Sequence, residues 1–374
     1  MRVLYLDYTN DIGLGGGQRS LNLLVRHLDR ERFQPVVACP PDEKLREILD
    51  PDVQVCDLNL PARFRRLSRN SASLFDVPAA ASFLWGTVRS LQKIVADEGI
   101  ELIHANNLKM AHLAALAAPS LPMVWHVRDI FPDRQPVLSL LRLASRAATK
   151  VLAVSQAVAH HLPDRTKTEV LYNAVELPPI EAAFPAGGSG VRRTPPVFGF
   201  VGRLDGWKGI RVLTEAFEVV RRKHEGAQLL VVGDGPEAAV LSGRPGITHL
   251  PFQKNLAPIW SRIDVAVTPS VEPDPFPRAV IEAMSYGKPV VAAATGGIPE
   301  AIAHEETGLL VAPSSVHELA AALTRFLDTP ELVASMGVAG RLRCEQRYSV
   351  QTQQTALDRI YETVMRGVGL GARR

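Results

Sequence analysis

The chain has 374 residues, of which 46% are hydrophobic and 22% charged, and its formal net charge is +3. One hydrophobic core rarely serves so long a chain, so we expect two domains of ordinary size. The small positive charge argues neither for nor against nucleic acid as a partner. The three cysteines are too widely spaced for a metal-ligand pair or a disulfide framework, which favours a reducing cytoplasm.

The amino-terminal residues contain no apolar core of a signal peptide, because Met1–Leu6 leads directly into a predicted strand. No apolar run elsewhere is long enough to span a bilayer. The sequence therefore predicts a protein that is soluble or peripherally bound.

Apolar runs alternate with helical patterns through the first half of the chain. The runs are Arg2–Leu6, Pro35–Ala38, Ile100–His104, Pro122–His126 and Val151–Val154. Between them, Ser82–Ala96 places its apolar residues on one helical face. This alternation is typical of a parallel sheet covered by helices, and it predicts a first α/β domain over residues 1–177.

A glycine-rich segment, Gly13-Leu14-Gly15-Gly16-Gly17-Gln18, follows the first strand and leads into a helix. Its backbone N–H groups could meet a phosphate at the helix start, and an ordinary flexible turn is the alternative. A dinucleotide fingerprint needs Gly-x-Gly-x-x-Gly and an acidic residue at the end of the next strand. Gln18 or Ser20 occupies the third glycine position and the next strand ends in Cys39-Pro40, which disfavours a dehydrogenase.

Residues 61–78 form a predicted loop with a basic cluster and one aromatic residue. The cluster consists of Arg63, Phe64, Arg65, Arg66 and Arg69. One interpretation is a solvated surface. The other is contact with an anionic acceptor or membrane, where each basic side chain contributes about 1 kcal/mol.

Polar side chains follow two neighbouring predicted strands. His126, Arg128 and Asp129 end one of them, and His104 with Asn106-Asn107 ends the strand before it. A lone histidine is usually structural, but open α/β folds bind ligands at the carboxyl edge of the sheet. After this domain, residues 178–196 hold five prolines and three glycines without periodicity, which predicts an interdomain linker.

The second half contains two predicted buried strands that glycine interrupts at the carboxyl end, Phe198–Leu204 and Leu229–Pro236. Asp274–Met284 and Gly287–Ala292 then suggest an acidic loop, a helix and another strand. Glycines at strand ends, two cations and two carboxylates together predict a nucleotide-binding cleft. Residues 316–366 are rich in helical patterns and close the chain.

This set of motifs resembles the second domain of retaining, nucleotide-sugar-dependent glycosyltransferases of the GT-B fold, in particular glycosyltransferase family 4. Arg203 and Lys208 fall where the family has its Gly-Arg-Leu…Lys-Gly diphosphate motif. Asp274 and Glu282 fall where it has two acidic residues with seven between them. The resemblance implies an α/β fold with two Rossmann-like domains across a cleft, residues 1–177 and 197–349, with the final helix at about 350–374 returning to the first domain.

The resemblance also implies an activity, a retaining hexosyltransferase reaction. The donor would be a UDP- or GDP-linked sugar, and the acceptor a hydroxyl group of a polysaccharide, a lipid-linked sugar or a natural product. Polysaccharide biosynthesis in the cytoplasm, with peripheral contact at the inner face of the membrane, would fit this activity. No cofactor, metal or nucleic-acid partner is expected. The alternatives are a nucleotide-sugar epimerase of the same fold and an inactive regulator that binds sugar nucleotides.

Particular residues acquire roles through the resemblance. His126, which would contact the transferred sugar, forms the catalytic set with Arg203, Lys208 and Asp274. The donor-binding residues would be Gly16, Gly17, Gly202, Gly235, Phe276, Pro277, Arg278 and Glu282. The acceptor-side residues would be Asn106, Asn107, Arg128, Arg65 and Arg66. Two positions depart from the family pattern, since Asp274 replaces a glutamate, with Glu272 as the alternative acid, and Pro277 replaces a frequent glycine.

The expected chemistry needs positive charge at the departing diphosphate, because negative charge builds there as the glycosidic bond breaks. The planar fork of Arg203 and the point charge of Lys208 suit that task. No Ser-His-Asp set or Cys-His pair is evident, and the resemblance implies that the acceptor attacks on the leaving-group face with the phosphate as base. Asp50-Pro51-Asp52 has metal-ligand spacing but precedes a strand, hence lies at the opposite edge of the sheet.

Overall fold

A computed structural model of the chain describes residues 1–8, 15–61, 77–184 and 195–371. The chain divides into two compact units by its internal contacts. Unit 1 comprises Met1–Tyr172 together with Gln354–Arg374, and unit 2 comprises Asn173–Gln353. The final segment thus packs within the same unit as the first half of the chain.

The described part of unit 1 contains a seven-stranded sheet in the order β3-β2-β1-β4-β5-β6-β7. Its strands are β1 (Arg2–Leu6), β2 (Gln34–Cys39), β3 (Gln54–Asp57), β4 (Leu102–Ala105), β5 (Met123–Val127), β6 (Lys150–Ala153) and β7 (Thr168–Val170). Neighbouring strands pair in parallel, so that Tyr5 in β1 lies opposite both Val37 in β2 and His104 in β4. The carboxyl ends of β1, β4 and β5 therefore meet at one edge of the sheet.

Helices connect these strands and cover the sheet. They are α1 (Gly16–Arg26), α2 (Val77–Asp97), α3 (Leu108–Ala117), α4 (Gln135–Ala147) and α5 (Gln156–His160), with a 3₁₀ helix at Lys44–Glu47. Helix α3 contacts both α2 and α4, which places these three helices in one layer. The apolar residues of α1 form a core with the sheet and with the last helix of the chain, which supplies Leu357, Ile360 and Tyr361.

The described part of unit 2 contains a six-stranded sheet in the order β10-β9-β8-β11-β12-β13, again with parallel pairing. Its strands are β8 (Val197–Val201), β9 (Gln228–Val232), β10 (Ile247–Leu250), β11 (Val265–Thr268), β12 (Val290–Ala293) and β13 (Gly308–Val311). The core on one face of this sheet includes Phe198, Phe217 and Phe326. The predicted α/β class, with a parallel sheet in each half of the chain, is confirmed.

The helices that follow β7 complete the chain. They are α6 (Ile180–Ala183), α7 (Ile210–Lys223), α8 (Ala257–Trp260), α9 (Arg278–Ser285), α10 (Ile298–Ala301), α11 (Val316–Asp328), α12 (Glu331–Arg347) and α13 (Val350–Gly371), with 3₁₀ helices at Gly206–Lys208 and Ala238–Leu241. Among the described helices, none combines the length and the hydropathy needed to cross a membrane.

The segment predicted as a linker begins with structure that the sequence did not suggest. Helix α6 buries Ala183, and the carbonyl oxygen of Pro178 accepts a hydrogen bond of 3.0 Å from Nη1 of Arg341. The start of this segment therefore packs on unit 2. Residues 185–194 lie outside the described residues.

Candidate functional site

The two predicted catalytic cations, Arg203 and Lys208, lie in the segment between β8 and α7. Gly209 ends the 3₁₀ helix Gly206–Lys208 with a φ of 77°, and a Cβ there would overlap the carbonyl oxygen of Pro269. Only glycine fits both the left-handed backbone and this close approach. The turn that carries Lys208 is thereby held against the chain that leaves β11.

Lys208 forms an ion pair with Asp274 from the loop after β11. Its Nζ lies 2.5 Å from Oδ2 of Asp274, and only 18% and 5% of the two side chains are exposed. The backbone of Asp274 is held as well, since its carbonyl oxygen accepts a hydrogen bond of 2.8 Å from the amide of Gly297. Gly296, at a φ of 57°, permits this contact because a Cβ there would overlap the Asp274 backbone. Two predicted catalytic residues are therefore in direct contact.

Arg203 is more exposed than Lys208 and lies at the same sheet edge. Its Nε lies 2.9 Å from Oδ2 of Asp205, and 53% of the side chain is exposed. Gly202 continues the sheet by donating to the carbonyl of Val232, while Gly235 follows β9 at the same edge. The structure thus places Arg203, Gly202 and Gly235 at carboxyl ends of adjacent strands, but Arg203 and Lys208 each pair with a different acid.

The predicted donor-binding residues around α9 divide into two groups. Arg278 donates from Nε to Oε1 of Glu282 at 3.1 Å and from Nη1 to the carbonyl of Ala174 at 3.0 Å, so the Glu282 carboxylate is held one turn along α9. The ring of Phe276, in contrast, is buried against Tyr348 at 5.4 Å between ring centroids. Phe276 packs in the core, and Pro277 directly precedes the first turn of α9.

Sequence reasoning missed Ser270, which lies two residues beyond the end of β11. The residue is fully buried, and its Oγ has no hydrogen-bond partner among the described residues. A buried hydroxyl without a partner costs free energy, and such groups are rare in native proteins. Its position shortly after the apolar run Val265–Val267 was the available signal.

At the corresponding edge of unit 1, Asp7 follows β1 and is almost fully buried. Nδ2 of Asn107 donates to Oδ1 of Asp7 at 3.2 Å, and Oδ1 of Asn107 caps α3 by accepting from the amide of Met110 at 3.0 Å. Burial raises the pKa of Asp7 from 3.8 to about 7, although Arg128 and the hydrogen bonds from Asn106 and Asn107 act in the opposite direction. Asp7 was not predicted as a site residue.

His126 lies in β5 and Arg128 directly follows this strand, which is two strands along from β1. Nε of Arg128 donates to Oδ1 of Asn106 at 2.6 Å, and Nη2 lies 3.3 Å from Nδ1 of His126. Nε2 of His104 lies 3.1 Å from that same nitrogen. The structure therefore brings Asn106, Arg128 and His126 together, and it buries both histidines completely.

Both histidines are neutral at physiological pH. Burial, assisted by the charge of Arg128, lowers the pKa of His104 from 6.5 to about 3. The same two causes, together with His104, lower the pKa of His126 well below 6.5. Because His126 has no exposed surface, a donor sugar could reach it only after its neighbours moved. The sugar contact that the resemblance implies for His126 stays a prediction.

The glycine-rich segment adjoins Arg128. Gly16 and Gly17 form the first turn of α1, and a Cβ on Gly17 would lie 3.7 Å from Cδ of Arg128. Gly15 precedes this turn, and its amide donates to Oε1 of Gln18 at 3.1 Å, which fixes the start of the helix. Gly13 lies outside the described residues, as do the predicted acceptor-side residues Arg65 and Arg66.

The ionisation of Asp7 generates a testable dependence of stability on pH. Because the folded-state pKa is raised, the folded state disfavours the carboxylate, and stability falls as pH rises from about 4 to about 7. We expect Asp7→Asn to remove this fall, so that the variant gains stability relative to the wild type over that range. The measurement is the denaturation midpoint of both proteins at a series of pH values.

Asp52→Asn is the control, since the Asp52 carboxylate is exposed. Its midpoints should run parallel to those of the wild type. Parallel curves for Asp7→Asn as well would contradict the raised pKa.

Comparison with known families identifies both halves of the chain. Residues 14–177 match the model of glycosyltransferase family 4, and residues 195–329 match the model of glycosyl transferases group 1. Together the two ranges cover most of the chain, and each half of the chain contains one of them.

Curated relatives agree with these matches. The glycogen synthase of Mycobacterium tuberculosis is 31% identical over 215 residues, which are 55% of this chain and 50% of that protein. The D-inositol 3-phosphate glycosyltransferase of Segniliparus rotundus is 30% identical over 293 residues, which are 74% of this chain and 64% of that protein. The chain thus spans about half to two thirds of the length of these relatives.

Solved structures show the same fold. The crystal structure of Anabaena Alr3699/HepE in complex with UDP and glucose superimposes with a TM-score of 0.76 at 23% identity, over 97% of this chain and 99% of that one. The parallel sheets, the motif order and the family matches lead to one conclusion. The chain belongs to the glycosyltransferases of the GT-B fold, with a family 4 domain in its first half and a group 1 domain in its second.

Proposed function

We propose that the protein is a retaining glycosyltransferase that moves a hexose from a nucleoside diphosphate to a hydroxyl acceptor. The observation that carries the proposal is the poorly exposed ion pair of Lys208 and Asp274, in the loops that follow β8 and β11, with Arg203 at the same edge. UDP is the favoured nucleotide, because the Anabaena structure is a complex with UDP and glucose. A polysaccharide, a lipid-linked sugar or a natural product would provide the hydroxyl group.

Each charged residue has a distinct role in this proposal. Arg203 and Lys208 stabilise the negative charge that builds on the departing diphosphate. Asp274 holds Lys208 in place and accepts a hydrogen bond from a sugar hydroxyl. Glu282, held by Arg278, accepts hydrogen bonds from the ribose hydroxyls. Asp274 suits the first acidic position better than Glu272, because Glu272 is exposed whereas Asp274 contacts Lys208.

Two other functions are separable by experiment. An epimerase of the same fold would convert one nucleotide sugar into another without an acceptor, and an inactive regulator would only bind it. Incubation with labelled UDP- and GDP-sugars, with and without cell extract, distinguishes transfer from isomerisation and from binding. Transfer that requires the extract supports the proposal, and isomerisation without it would overturn the proposal.

Removing either cation should slow transfer far more than it lowers stability. Loss of one group aimed at developing charge commonly costs about 2.7–4 kcal/mol of barrier, or roughly 10²–10³ in kcat. We expect Lys208→Ala and Arg203→Ala each to fall in this range. Arg203→Ala should change the thermal midpoint little, whereas Lys208→Ala should also lower it, because Asp274 loses its buried partner. The measurement is the initial rate at saturating donor.

Arg325→Ala is a matched control for these variants. Arg325 is also ion-paired, to Glu305 at 2.6 Å, but it lies in the last turn of α11, toward the opposite edge of the sheet. Its rate should stay near that of the wild type. Near-normal turnover in both Lys208→Ala and Arg203→Ala would refute their placement at the phosphates.

We further propose that transfer needs no divalent metal, because Arg203 and Lys208 supply the positive charge. The carboxylates of the Asp50-Pro51-Asp52 motif are engaged elsewhere, since Asp50 pairs with Arg26 at 3.0 Å and Asp52 with Arg30 at 3.6 Å. We expect the rate to be unchanged in excess EDTA. A rate that collapses on chelation and returns with Mg²⁺ or Mn²⁺ would show that a metal takes part.

Peripheral contact with an anionic membrane is proposed for the outer face of α4. Leu140 and Leu143 are 48% and 55% exposed there, beside Arg142 and Arg146, which form no ion pair with any described residue. Neither α3 nor α4 contains an acidic residue. Exposed apolar side chains flanked by unopposed cations suit an interface of acidic lipid headgroups.

Vesicle flotation tests this contact. We expect binding to vesicles that contain phosphatidylglycerol but not to pure phosphatidylcholine, and loss of binding in Leu140→Ser/Leu143→Ser. Val338→Ser/Leu342→Ser is the matched control, because these two residues of α12 are similarly exposed. Equal binding by the two double variants would exclude α4 as the contact.

A further inference from the structure

The 3₁₀ helix Gly206–Lys208 carries an aromatic residue that the proposed function does not yet use. Trp207 precedes Lys208 in this helix and is half-buried. Nζ of Lys208 lies 4.1 Å from the centroid of the Trp207 ring. The face of an aromatic ring carries partial negative charge and attracts a cation within about 6 Å, and the indole ring does so most strongly. Lys208 therefore contacts an aromatic face as well as the carboxylate of Asp274.

The backbone of Trp207 is fixed to the rest of the site. Its carbonyl oxygen accepts a hydrogen bond of 2.9 Å from the amide of Val271, in the loop after β11. The amide of Gly209 donates to the carbonyl oxygen of Gly206 at 3.1 Å, which closes the turn around Trp207. The ring is thus attached to a turn that is joined to the same loop as Asp274.

The Lys208 side chain adopts a conformer that both partners require. Consecutive residues of a 3₁₀ helix project about 120° apart, because the helix has about three residues per turn. The stem of Lys208 therefore bends back for its ammonium group to lie over the preceding ring. The same conformer places Nζ 2.5 Å from Oδ2 of Asp274. Two partners of different chemistry thus select one conformer of a long, flexible side chain.

The two partners differ in what they take from the ammonium group. An ammonium group has three N–H donors and no acceptor. Among the described residues, Asp274 provides the one hydrogen-bond acceptor for Nζ, whereas the ring of Trp207 attracts the charge without occupying a lone pair. Lys208 therefore keeps an N–H group for a phosphate oxygen while the ring restricts where its ammonium group can lie.

On the basis of the proposed transferase function, we infer that Trp207 is a positioning residue that, together with Asp274, holds the ammonium group of Lys208 where it meets the departing diphosphate. Only 18% of the Lys208 side chain is exposed, so little water competes with the ring for the cation. A fixed charge needs no reorganisation as negative charge develops on the phosphates. Loss of the ring should therefore act through Lys208 and not through a contact between Trp207 and the substrate.

Carbon-13 NMR of labelled lysine tests the contact between Trp207 and Lys208 without any ligand. The ring current of tryptophan moves the signals of protons above its face upfield, so the Hε signal of Lys208 should lie upfield of exposed lysines. The signal is assigned by its absence in Lys208→Arg. Trp207→Phe should retain part of the shift, because an aromatic face remains, and Trp207→Leu should abolish it.

Trp85→Leu is the matched control for these spectra. Trp85 also has a cation over its ring, since Cζ of Arg89 lies 5.2 Å from the ring centroid, and it belongs to α2, which carries none of the predicted site residues. The Lys208 signal should not move in this variant, and thermal midpoints show whether each variant is folded. A wild-type Lys208 signal at the position of an exposed lysine would overturn the inference, as would a signal that Trp207→Leu leaves in place.

Calorimetric titration with UDP then tests the role of the contact. A cation–π contact at a poorly exposed site corresponds to about a five- to thirtyfold effect on an equilibrium constant. We expect Trp207→Leu to raise the Kd for UDP within that range, and Trp207→Phe to restore most of the affinity. The affinity of Trp85→Leu should equal that of the wild type. Unchanged affinity in a folded Trp207→Leu would contradict the inference.

A double-mutant cycle separates a positioning role from direct contact with the nucleotide. In a Lys208→Ala background the effect of Trp207→Leu on the Kd for UDP should nearly vanish. An effect that persists without Lys208 would mean that the ring binds the nucleotide itself, and it would overturn the positioning role. A wild-type protein that binds neither UDP nor GDP would count against the proposed function instead. The lysine spectra would then still decide whether Trp207 holds Lys208.

Discussion

Parallel strand pairing is the constraint on which both candidate sites depend. In unit 1 it brings the ends of β1, β4 and β5 to one edge, and Asp7, Asn106 and Arg128 follow those ends directly. In unit 2 it does the same for β8, β9 and β11. Side chains that are distant in sequence become neighbours because the loops that follow these parallel strands all begin at the same edge of the sheet.

Charge is retained at the two edges by different means. In unit 2 Lys208 and Asp274 are poorly exposed, and their mutual contact compensates for the loss of hydration. In unit 1 burial suppresses ionisation instead, because both histidines are neutral and the pKa of Asp7 is raised to about 7. Arg128 is then the group that keeps its charge there, since a guanidinium does not deprotonate in this pH range.

The sequence was sufficient for the layer structure and for the motif positions. Buried strands of a parallel sheet leave long apolar runs, and the turns after them carry glycine and charged residues, so the strands ending near Asp7, His126 and Arg203 were all predictable. The resemblance placed Lys208 and Asp274 in one site, and in the structure the two side chains form an ion pair that was not predicted. Helix α6 was missed because four residues among prolines have no detectable period.

The pairing of individual side chains was not predictable, since it depends on contacts between distant parts of the chain. Tyr361 is 356 residues from Tyr5, and no local pattern relates them. Phe276 lies in a donor motif, yet its ring packs on Tyr348, because its place in the loop directs it into the core. Motif position alone therefore identifies the loop that faces a ligand. It does not identify which side chains of that loop face the ligand and which pack in the core.

The burial of His126 shows how such a distinction can be made. His126 and His104 expose no surface, and their ring nitrogens lie within hydrogen-bonding distance of each other, of Tyr361 and of Arg128, so a sugar contact by His126 requires its neighbours to move. Burial lowers the pKa of both rings, so Arg128 is the charged member of this group. The positive charge at this edge is therefore carried by Arg128, and two neutral imidazole rings lie buried beside it.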